Sequence, residues 1–212
     1  SISRHSSLKS IVQNISLLIY DEVQQFGHIY EAIINRMKFL TKSTRVIALS
    51  SCLANPNDIA QYLSIPARGV YNFSPSFRGV PMMIFIQGFP GKQYCSRMAA
   101  MNKPLLDTIV KNSKGKSTLI FVSSRKQTVL TANDLISYGN ITNSSIFSAS
   151  KTVQDASKNI QDKQLAHFLS FGVGIHHGGL SNHDISIVEK LFKEDKLLYL
   201  IVTSNFAWNS TI

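Results

Sequence analysis

The sequence predicts an α/β protein in which parallel sheets are flanked by helices. Short continuous apolar runs, such as residues 15–20 and 118–122, have the length of strands and lack the polar alternation of a strand with one solvated face. The apolar residues between positions 29 and 40 recur every three or four places instead, which is typical of a helix with one buried face. Runs of these two kinds alternate along the chain, and that alternation is the pattern of parallel α/β folds.

The first series of elements ends before a segment rich in proline and glycine. It comprises a strand at 15–20, a helix at 29–40, a strand at 45–49 and a helix at 55–63. Asn55 is the expected N-cap of the last helix, with Pro56 at its first position. Prolines and glycines then interrupt short β-like runs at 70–73 and 83–87, so we place a domain boundary near residues 78–80.

A second α/β series follows this boundary, which gives two domains, 1–78 and 79–212. We expect helices at 98–111, 126–138 and 184–193, and strands at 118–122, 172–175 and 197–202. Residues 139–158 are rich in serine, asparagine and threonine and poor in apolar residues, so they predict a surface loop.

The charge balance favours a polyanionic partner. The 212 residues contain 22 Lys and Arg against 12 Asp and Glu, a net charge of +10. Nucleic acid is the first expectation for such a chain, an acidic membrane surface the second, and a generally solvated basic surface stays a third. Cys52 and Cys95 are expected to be reduced thiols of an intracellular protein. Since the apolar runs are far shorter than the roughly 20 residues of a membrane span and no signal-peptide pattern opens the chain, we expect a protein of the nucleus, the cytoplasm or both, outside membranes.

Two carboxylates, Asp21 and Glu22, directly follow the first predicted strand. Open parallel sheets bind ligands at the carboxyl ends of their strands, which is where this pair falls. One carboxylate there can hold Mg²⁺, and its neighbour can orient or deprotonate the water that attacks a phosphate. An acidic turn without chemistry is the simpler alternative, because such pairs are common.

Small polar groups also follow three further predicted strands. These groups are Ser50 and Ser51, then Ser123, Ser124 and Arg125, and finally Thr203 and Ser204. Because parallel strands end at the same edge of a sheet, the first serine pair could lie beside the carboxylate pair. The hydroxyl and guanidinium groups of Ser124 and Arg125 suit contact with a phosphate backbone.

Two other patterns are weaker candidates. Residues 115–117 (Gly-Lys-Ser) resemble the end of a phosphate-binding loop, but they precede a strand instead of following one, and Val110 stands where that loop needs glycine. His176, His177 and His183 have no cysteine nearby, and no carboxylate spacing completes a usual zinc ligand set. We expect structural or nucleic-acid contacts from the histidine pair.

The order of the motifs resembles that of the superfamily 2 DExH helicases. Residues 18–24 (LIYDEVQ) resemble motif II of that family and residues 50–55 (SSCLAN) its motif III. Residues 121–125 (FVSSR), 176–180 (HHGGL) and 202–208 (VTSNFAW) are similar to motifs IV, IVa and V of its superkiller-type branch. Residues 86–91 (IQGFPG) and 101–104 (MNKP) most resemble the second motor cassette of the two-cassette helicases in that branch.

The resemblance implies parts of two RecA-like P-loop NTPase domains, with motifs II and III in 1–78 and motifs IV, IVa and V in 79–212. It implies ATP and Mg²⁺ as cofactors, Asp21 as the metal ligand and Glu22 as the residue that activates the hydrolytic water. Gln24, Ser50 and Ser51 would couple the nucleotide state to strand movement. The implied contacts to RNA or other single-stranded nucleic acid are Ser124, Arg125, His177, Gly178, Thr203 and Ser204. The expected function is ATP-dependent translocation along a single strand and unwinding of nucleic acid, with protein partners in a larger complex.

Four residues depart from the motifs of that family. Gln24 stands where histidine is usual, Cys52 where threonine is usual, and Asn205 and Asn209 where threonine and glycine are usual. These changes leave a second function open: a degenerate cassette that regulates and docks proteins in a spliceosomal or ribosome-associated complex without hydrolysing ATP. The phosphate loop and motif VI are not recognisable in the 212 residues, so we expect this chain alone to be inactive.

Overall fold

The structure, a computed structural model, describes residues 11–41, 44–113, 115–141 and 147–209, without the side chains of residues 208 and 209. The chain divides into two compact units, an N-terminal unit (Ser1–Phe85) and a C-terminal unit (Ile86–Ile212). The sequence placed the boundary slightly earlier, near residues 78–80. The assignment of these units to two motor domains stays a prediction.

The N-terminal unit is built on a strand-helix-strand arrangement. Strands β1 (Leu17–Tyr20) and β2 (Arg45–Ala48) pair in parallel, with Leu17 opposite Arg45 and Tyr20 opposite Ala48. Helix α1 (His28–Leu40) connects them, and helix α2 (Pro56–Tyr62) follows β2. Short 3₁₀ turns lie at Val23–Gln25, Ala67–Gly69 and Pro75–Phe77. The two strands and two helices predicted for this part are confirmed.

The packing around β1 differs from the prediction. The sequence predicted a strand buried on both faces, but Leu17 and Ile19 are 43% and 59% exposed. That prediction was wrong because the sheet has two strands among the described residues, and nothing described covers its second face. Helix α1 buries Ile34 and Met37. Ile29, the first apolar residue of the helical pattern predicted at 29–40, is exposed.

The segment after α2 forms no strand among its described residues. The β-like runs predicted at 70–73 and 83–87 are irregular, so those predictions were wrong. Prolines at 66, 75 and 81 lack the backbone N–H that a sheet ladder needs, and they favour turns instead. Asn55 precedes α2 as predicted, but its side chain makes no capping hydrogen bond.

The C-terminal unit contains a parallel sheet of three strands in the described part of the chain. Strands β3 (Thr118–Val122), β4 (Val173–His176) and β5 (Tyr199–Thr203) lie in the order β3-β5-β4. The helices are α3 (Tyr94–Asn112), α4 (Arg125–Ile141), α5 (Lys151–Ser157), α6 (Lys163–Ser170), α7 (Asn182–Lys193) and α8 (Phe206–Asn209). The three strands and the helices α3, α4 and α7 confirm the predicted α/β fold. None of the described helices combines the length and apolarity needed to cross a membrane.

The core of the C-terminal unit lies between this sheet and its helices. Ile175 of β4 and Ile201 of β5 are 1% and 0% exposed, and Leu135, Phe168 and Val188 from three helices pack in the same cluster. Each such side chain contributes about 1.5–3 kcal/mol by leaving water. The ends of these strands are therefore attached to a well-packed sheet.

Part of the loop predicted at 139–158 is helical, so that prediction was wrong there. Helix α5 is capped by Ser150 Oγ, which accepts from the Val153 N–H at 3.4 Å, and the Val153 side chain is fully buried. The sequence did not predict this helix because its residues are mostly polar. Val153 is its one fully buried apolar residue, and a single apolar residue shows no helical periodicity. Helix α6, capped by Asp162, was not predicted either. Residues 142–146 of the predicted loop lie outside the described residues.

Candidate nucleotide and nucleic-acid sites

The carboxylate pair lies directly after β1, and both residues are exposed. The backbone N–H of Glu22 donates to Oδ1 of Asp21 at 2.9 Å. Glu22 has a left-handed backbone, with φ 56° and ψ 45°. This conformation costs a residue with a Cβ about 1–2 kcal/mol, and strained residues of this kind cluster at functional sites. The left-handed conformation of Glu22 turns the chain sharply at the end of β1.

Gln24 connects this carboxylate pair to the residues that follow β2. Its side-chain N–H donates to Oε2 of Glu22, and its Oε1 accepts from Ser50 Oγ at 2.8 Å and from the Ser51 N–H at 3.4 Å. A carboxamide can do this because it is both a donor and an acceptor. The structure thus brings Glu22, Gln24, Ser50 and Ser51 into one hydrogen-bonded group, which we call the Gln24 bridge.

Parallel pairing places the two strand ends side by side. Leu49 N–H donates to the Tyr20 carbonyl at 2.8 Å, and Val23 N–H donates to the Leu49 carbonyl at 3.1 Å. The ladder therefore continues past both strands, up to the residues of the Gln24 bridge. Cys52 is exposed and takes no part in this bridge.

At the end of β3, the chain turns into α4 through Ser123 and Ser124. Ser124 Oγ accepts from the Gln127 N–H at 3.3 Å, and Arg125 is the first residue of α4. Ser123 Oγ shares a hydrogen bond with the hydroxyl of Tyr94, the first residue of α3. An exposed hydroxyl and a guanidinium therefore stand at a helix N-terminus, where anions are favoured.

The Arg125 guanidinium lies against the loop that follows β4. A Cβ added at Gly179 would lie 3.2 Å from Nη1 of Arg125 and 3.2 Å from Nδ1 of His177, and one at Gly178 would lie 3.5 Å from Nη2 of Arg125. The Gly179 N–H donates to His177 Nδ1 at 3.1 Å. Burial first, and then the Arg125 cation, lowers the pKa of His177 below its ordinary value, which Asp162 opposes in part. His177 is therefore a neutral acceptor near pH 7, and the guanidinium is the cation of this group.

Thr203 and Ser204 lie at the same sheet edge. Thr203 ends β5 opposite Val122 of β3, and Val202 lies opposite His176 of β4. The residues after β3, β4 and β5 are therefore neighbours, and the predicted nucleic-acid residues of the C-terminal unit share one edge. Their roles in binding stay predictions.

The sequence analysis did not identify two carboxylates of α7, Glu189 and Asp184, that support this sheet edge. His176 Nε2 lies 3.0 Å from Oε1 of Glu189 on α7, and its ring packs edge-on against Phe206 at a centroid distance of 4.8 Å. Asp184 is 1% exposed and accepts from the backbone N–H groups of Gln161 and Asp162 at 3.0 and 3.1 Å. In the sequence, the one sign of either residue is a carboxylate on a helix that is otherwise amphipathic.

These features give the class of fold. Each of the two units has a parallel sheet with polar residues just past its strand ends, which agrees with the α/β architecture expected of parts of RecA-like P-loop NTPase domains. No family model matches the chain. Over 98% of its length, the chain is 45% identical to activating signal cointegrator 1 complex subunit 3 of Dictyostelium discoideum and 42% identical to the DExH-box ATP-dependent RNA helicase DExH14 of Arabidopsis thaliana. It is 38% identical, also over 98% of its length, to the RQC trigger complex helicase SLH1 of Saccharomyces cerevisiae.

The chain is homologous to a segment of superkiller-type DExH-box helicases, which confirms the resemblance found in the sequence. It covers 10% of the length of the first two relatives and 11% of the third, so it corresponds to about a tenth of such a protein.

Proposed function

We propose that this chain is the central segment of an ATP-dependent helicase motor that moves along single-stranded RNA. The Gln24 bridge is the observation that carries the proposal, because it joins a carboxylate suited to phosphate chemistry to the end of the neighbouring strand. A change at the nucleotide can thereby reach β2 through one side chain. RNA is the proposed nucleic acid because one relative is named an RNA helicase.

The residues after β1 fit ATP with Mg²⁺. Asp21 uses Oδ1 to accept from the Glu22 N–H, and among the described residues its Oδ2 has no partner. Mg²⁺ usually binds one or two protein carboxylates, several waters and the phosphates of its nucleotide, so a single available carboxylate is adequate. When bound, the metal neutralises charge on the phosphates. Glu22 would then orient and deprotonate the attacking water, and Gln24 would hold its carboxylate.

The proposed RNA contacts lie at the strand ends of the C-terminal unit. They comprise the side chains of Ser124, Arg125, His177, Thr203 and Ser204 and the backbone of Gly178. Hydroxyl, guanidinium and backbone N–H groups contact phosphates without reading the base sequence, as a translocating motor requires. The net charge of +10 supports the same partner.

Glu22→Gln in the full-length parent tests the proposal, with Glu31→Gln as the matched control. Both residues are exposed glutamates of the N-terminal unit, and Glu31 lies in the first turn of α1, outside the Gln24 bridge. If the parent carries another copy of these motifs, that copy is inactivated first. We expect RNA-stimulated ATP hydrolysis to fall by about 100-fold or more in Glu22→Gln, the lower range for loss of a general base. Wild-type turnover in Glu22→Gln would exclude Glu22 as the catalytic carboxylate.

A second function is favoured by the contacts of Glu22 itself. Its Oε2 accepts from Gln24 and also lies 3.4 Å from Nε2 of Gln25, so two amides engage one carboxylate oxygen. A glutamate held in this way is less available as a base. The chain would then be a nucleotide-binding module for regulation and docking. Nucleotide binding without turnover would support this function, and turnover of about 1 s⁻¹, the low end of typical enzyme rates, would exclude it.

We also propose that the parent protein works within a larger protein complex in the nucleus, the cytoplasm or both. Two relatives carry the names of complexes, the activating signal cointegrator 1 complex and the RQC trigger complex. Cys52 and Cys95 are free, exposed thiols, and two thiols without a disulfide framework support a reducing compartment.

A further inference from the structure

A chain of buried polar side chains joins α3 to α4. Asn102, Gln127 and Thr131 are 4%, 8% and 1% exposed. The Gln127 amide donates to Thr131 Oγ1 at 3.1 Å, and that hydroxyl donates to Asn102 Oδ1 at 3.4 Å. The Asn102 amide in turn donates to Asp134 Oδ2 at 2.6 Å. Asp134 is only partly buried and ends the chain of bonds, and we call these four residues the buried relay.

The relay occupies positions where apolar side chains would be easier to bury. Gln127, Thr131 and Asp134 are spaced by four and three residues, the spacing of one helix face, and Leu135 beside them is fully buried. A buried polar group costs free energy unless it is hydrogen-bonded, so each member depends on the others. Such a set permits one register between two packed helices, as a polar residue at a core position does in a coiled coil.

The relay begins beside the proposed RNA contacts. The backbone N–H of Gln127 donates to Ser124 Oγ at 3.3 Å, and Arg125 starts the helix that carries Gln127. Tyr94, the first residue of α3, is hydrogen-bonded to Ser123 in the turn after β3. Helix α3 is therefore bonded to the turn after β3 directly, through Tyr94, and to α4 through the relay. A shift of α4 along α3 would move both Ser124 and Arg125.

We propose that Asn102, Gln127 and Thr131 are positioning residues for the nucleic-acid contacts of Ser124 and Arg125. The inference rests on the proposed function, because it requires that these two residues contact the phosphate backbone. The relay residues do not touch RNA. They fix the register of α4, and with it the place of the Arg125 guanidinium against Gly178 and Gly179.

Thr131→Val in the full-length parent breaks the relay at its centre. Valine keeps the shape of threonine but removes the hydroxyl that accepts from Gln127 and donates to Asn102. We expect the dissociation constant for single-stranded RNA to rise roughly three- to tenfold, the size of effect known for residues that act through others. Thr131→Ser restores the hydroxyl and should restore the affinity.

Thr108→Val is the control. Thr108 lies on α3, and its hydroxyl donates within that helix, to the Pro104 carbonyl at 2.8 Å, with no bond to the relay or to Arg125. A triple variant, Asn102→Leu with Gln127→Leu and Thr131→Val, covers the case in which the single change impairs folding. It removes the donors and acceptors of the three buried residues together and leaves only the partly buried Asp134 without its partner, so it should stay folded and still bind RNA more weakly.

Arg125→Ala separates a failure of this inference from a failure of the proposed function. If Arg125→Ala weakens RNA binding while Thr131→Val and the triple variant bind like wild type, the positioning role is wrong and the proposed function stands. If Arg125→Ala binds RNA like wild type, both are wrong. An affinity loss that Thr131→Ser does not restore, or that Thr108→Val shows equally, would also overturn the positioning role.

Discussion

The two units of this chain hold similar strand-end residues by different means. In the N-terminal unit, β1 is half exposed and its site is held by the Gln24 bridge, which consists of exposed hydrogen bonds. In the C-terminal unit, β4 and most of β5 are buried, and the site rests on buried groups such as Asp184 and the buried relay. The position of a strand-end motif can therefore follow from local side-chain bonds in one unit and from core packing in the other.

This difference separates changes that act on stability from changes that act on activity. An exposed hydrogen bond competes with water and contributes about 0.5–1.5 kcal/mol, so loss of the Gln24 bridge should change catalysis more than folding. A buried group left without its partner costs about 1–3 kcal/mol. Changes under the C-terminal site should therefore appear first as lost stability.

The largest expected effect is on the stability of the C-terminal sheet. Ile201→Ala, at a residue with 0% exposure in the central strand, should lower the free energy of unfolding by about 2–5 kcal/mol. The same change at Ile19, which is 59% exposed, should cost about 1 kcal/mol or less. Urea denaturation of the chain, followed by circular dichroism, measures both. Equal losses at the two sites would mean that the two sheets do not differ as described.

A smaller loss of stability is expected at the buried carboxylate of α7. Asp184→Asn keeps one oxygen but turns an amide N–H toward one of the donors at Gln161 and Asp162. We expect a loss of about 1–3 kcal/mol in the same denaturation experiment. Asp155→Asn is the control, because its ion pair with Lys158 is 72–75% exposed and contributes little. If the two variants are equally stable, the Asp184 carboxylate does not stabilise the backbone at Gln161 and Asp162.

The smallest expected effect is the pH dependence contributed by His177. Because burial and Arg125 lower the pKa of His177 in the folded chain, the unfolded chain binds this proton more readily. The folded state should therefore lose stability as the pH falls through the ordinary value of 6.5, and should lose none from this residue above it. His177→Asn should flatten the fall in thermal midpoint on the acid side. An unchanged pH profile in that variant would contradict this assignment.

The strands and the first candidate site could be predicted because their signals are local. Residues 118–122 form one continuous apolar run, and parallel pairing alone places Ser50 beside the residues after β1. The relay could not be predicted, because Asn102 and Thr131 are 29 residues apart and nothing in the sequence marks their contact. The same is true of His176 and Glu189. The exposure of Leu17 was not predicted, because an apolar run shows only that a strand can be buried. It does not show whether other elements pack on both faces of the sheet.

The most direct test of the Gln24 bridge is a double-mutant cycle in the full-length parent. Gln24→Leu removes the amide that joins Glu22 to Ser50, and Ser50→Ala removes the hydroxyl at the other end. The rate of RNA-stimulated ATP hydrolysis is measured for each variant and for the pair. Because the two changes break the same connection, we predict that the double variant is no slower than Gln24→Leu alone. A double variant whose loss equals the product of the two single losses would show that the residues act independently, and would contradict the bridge.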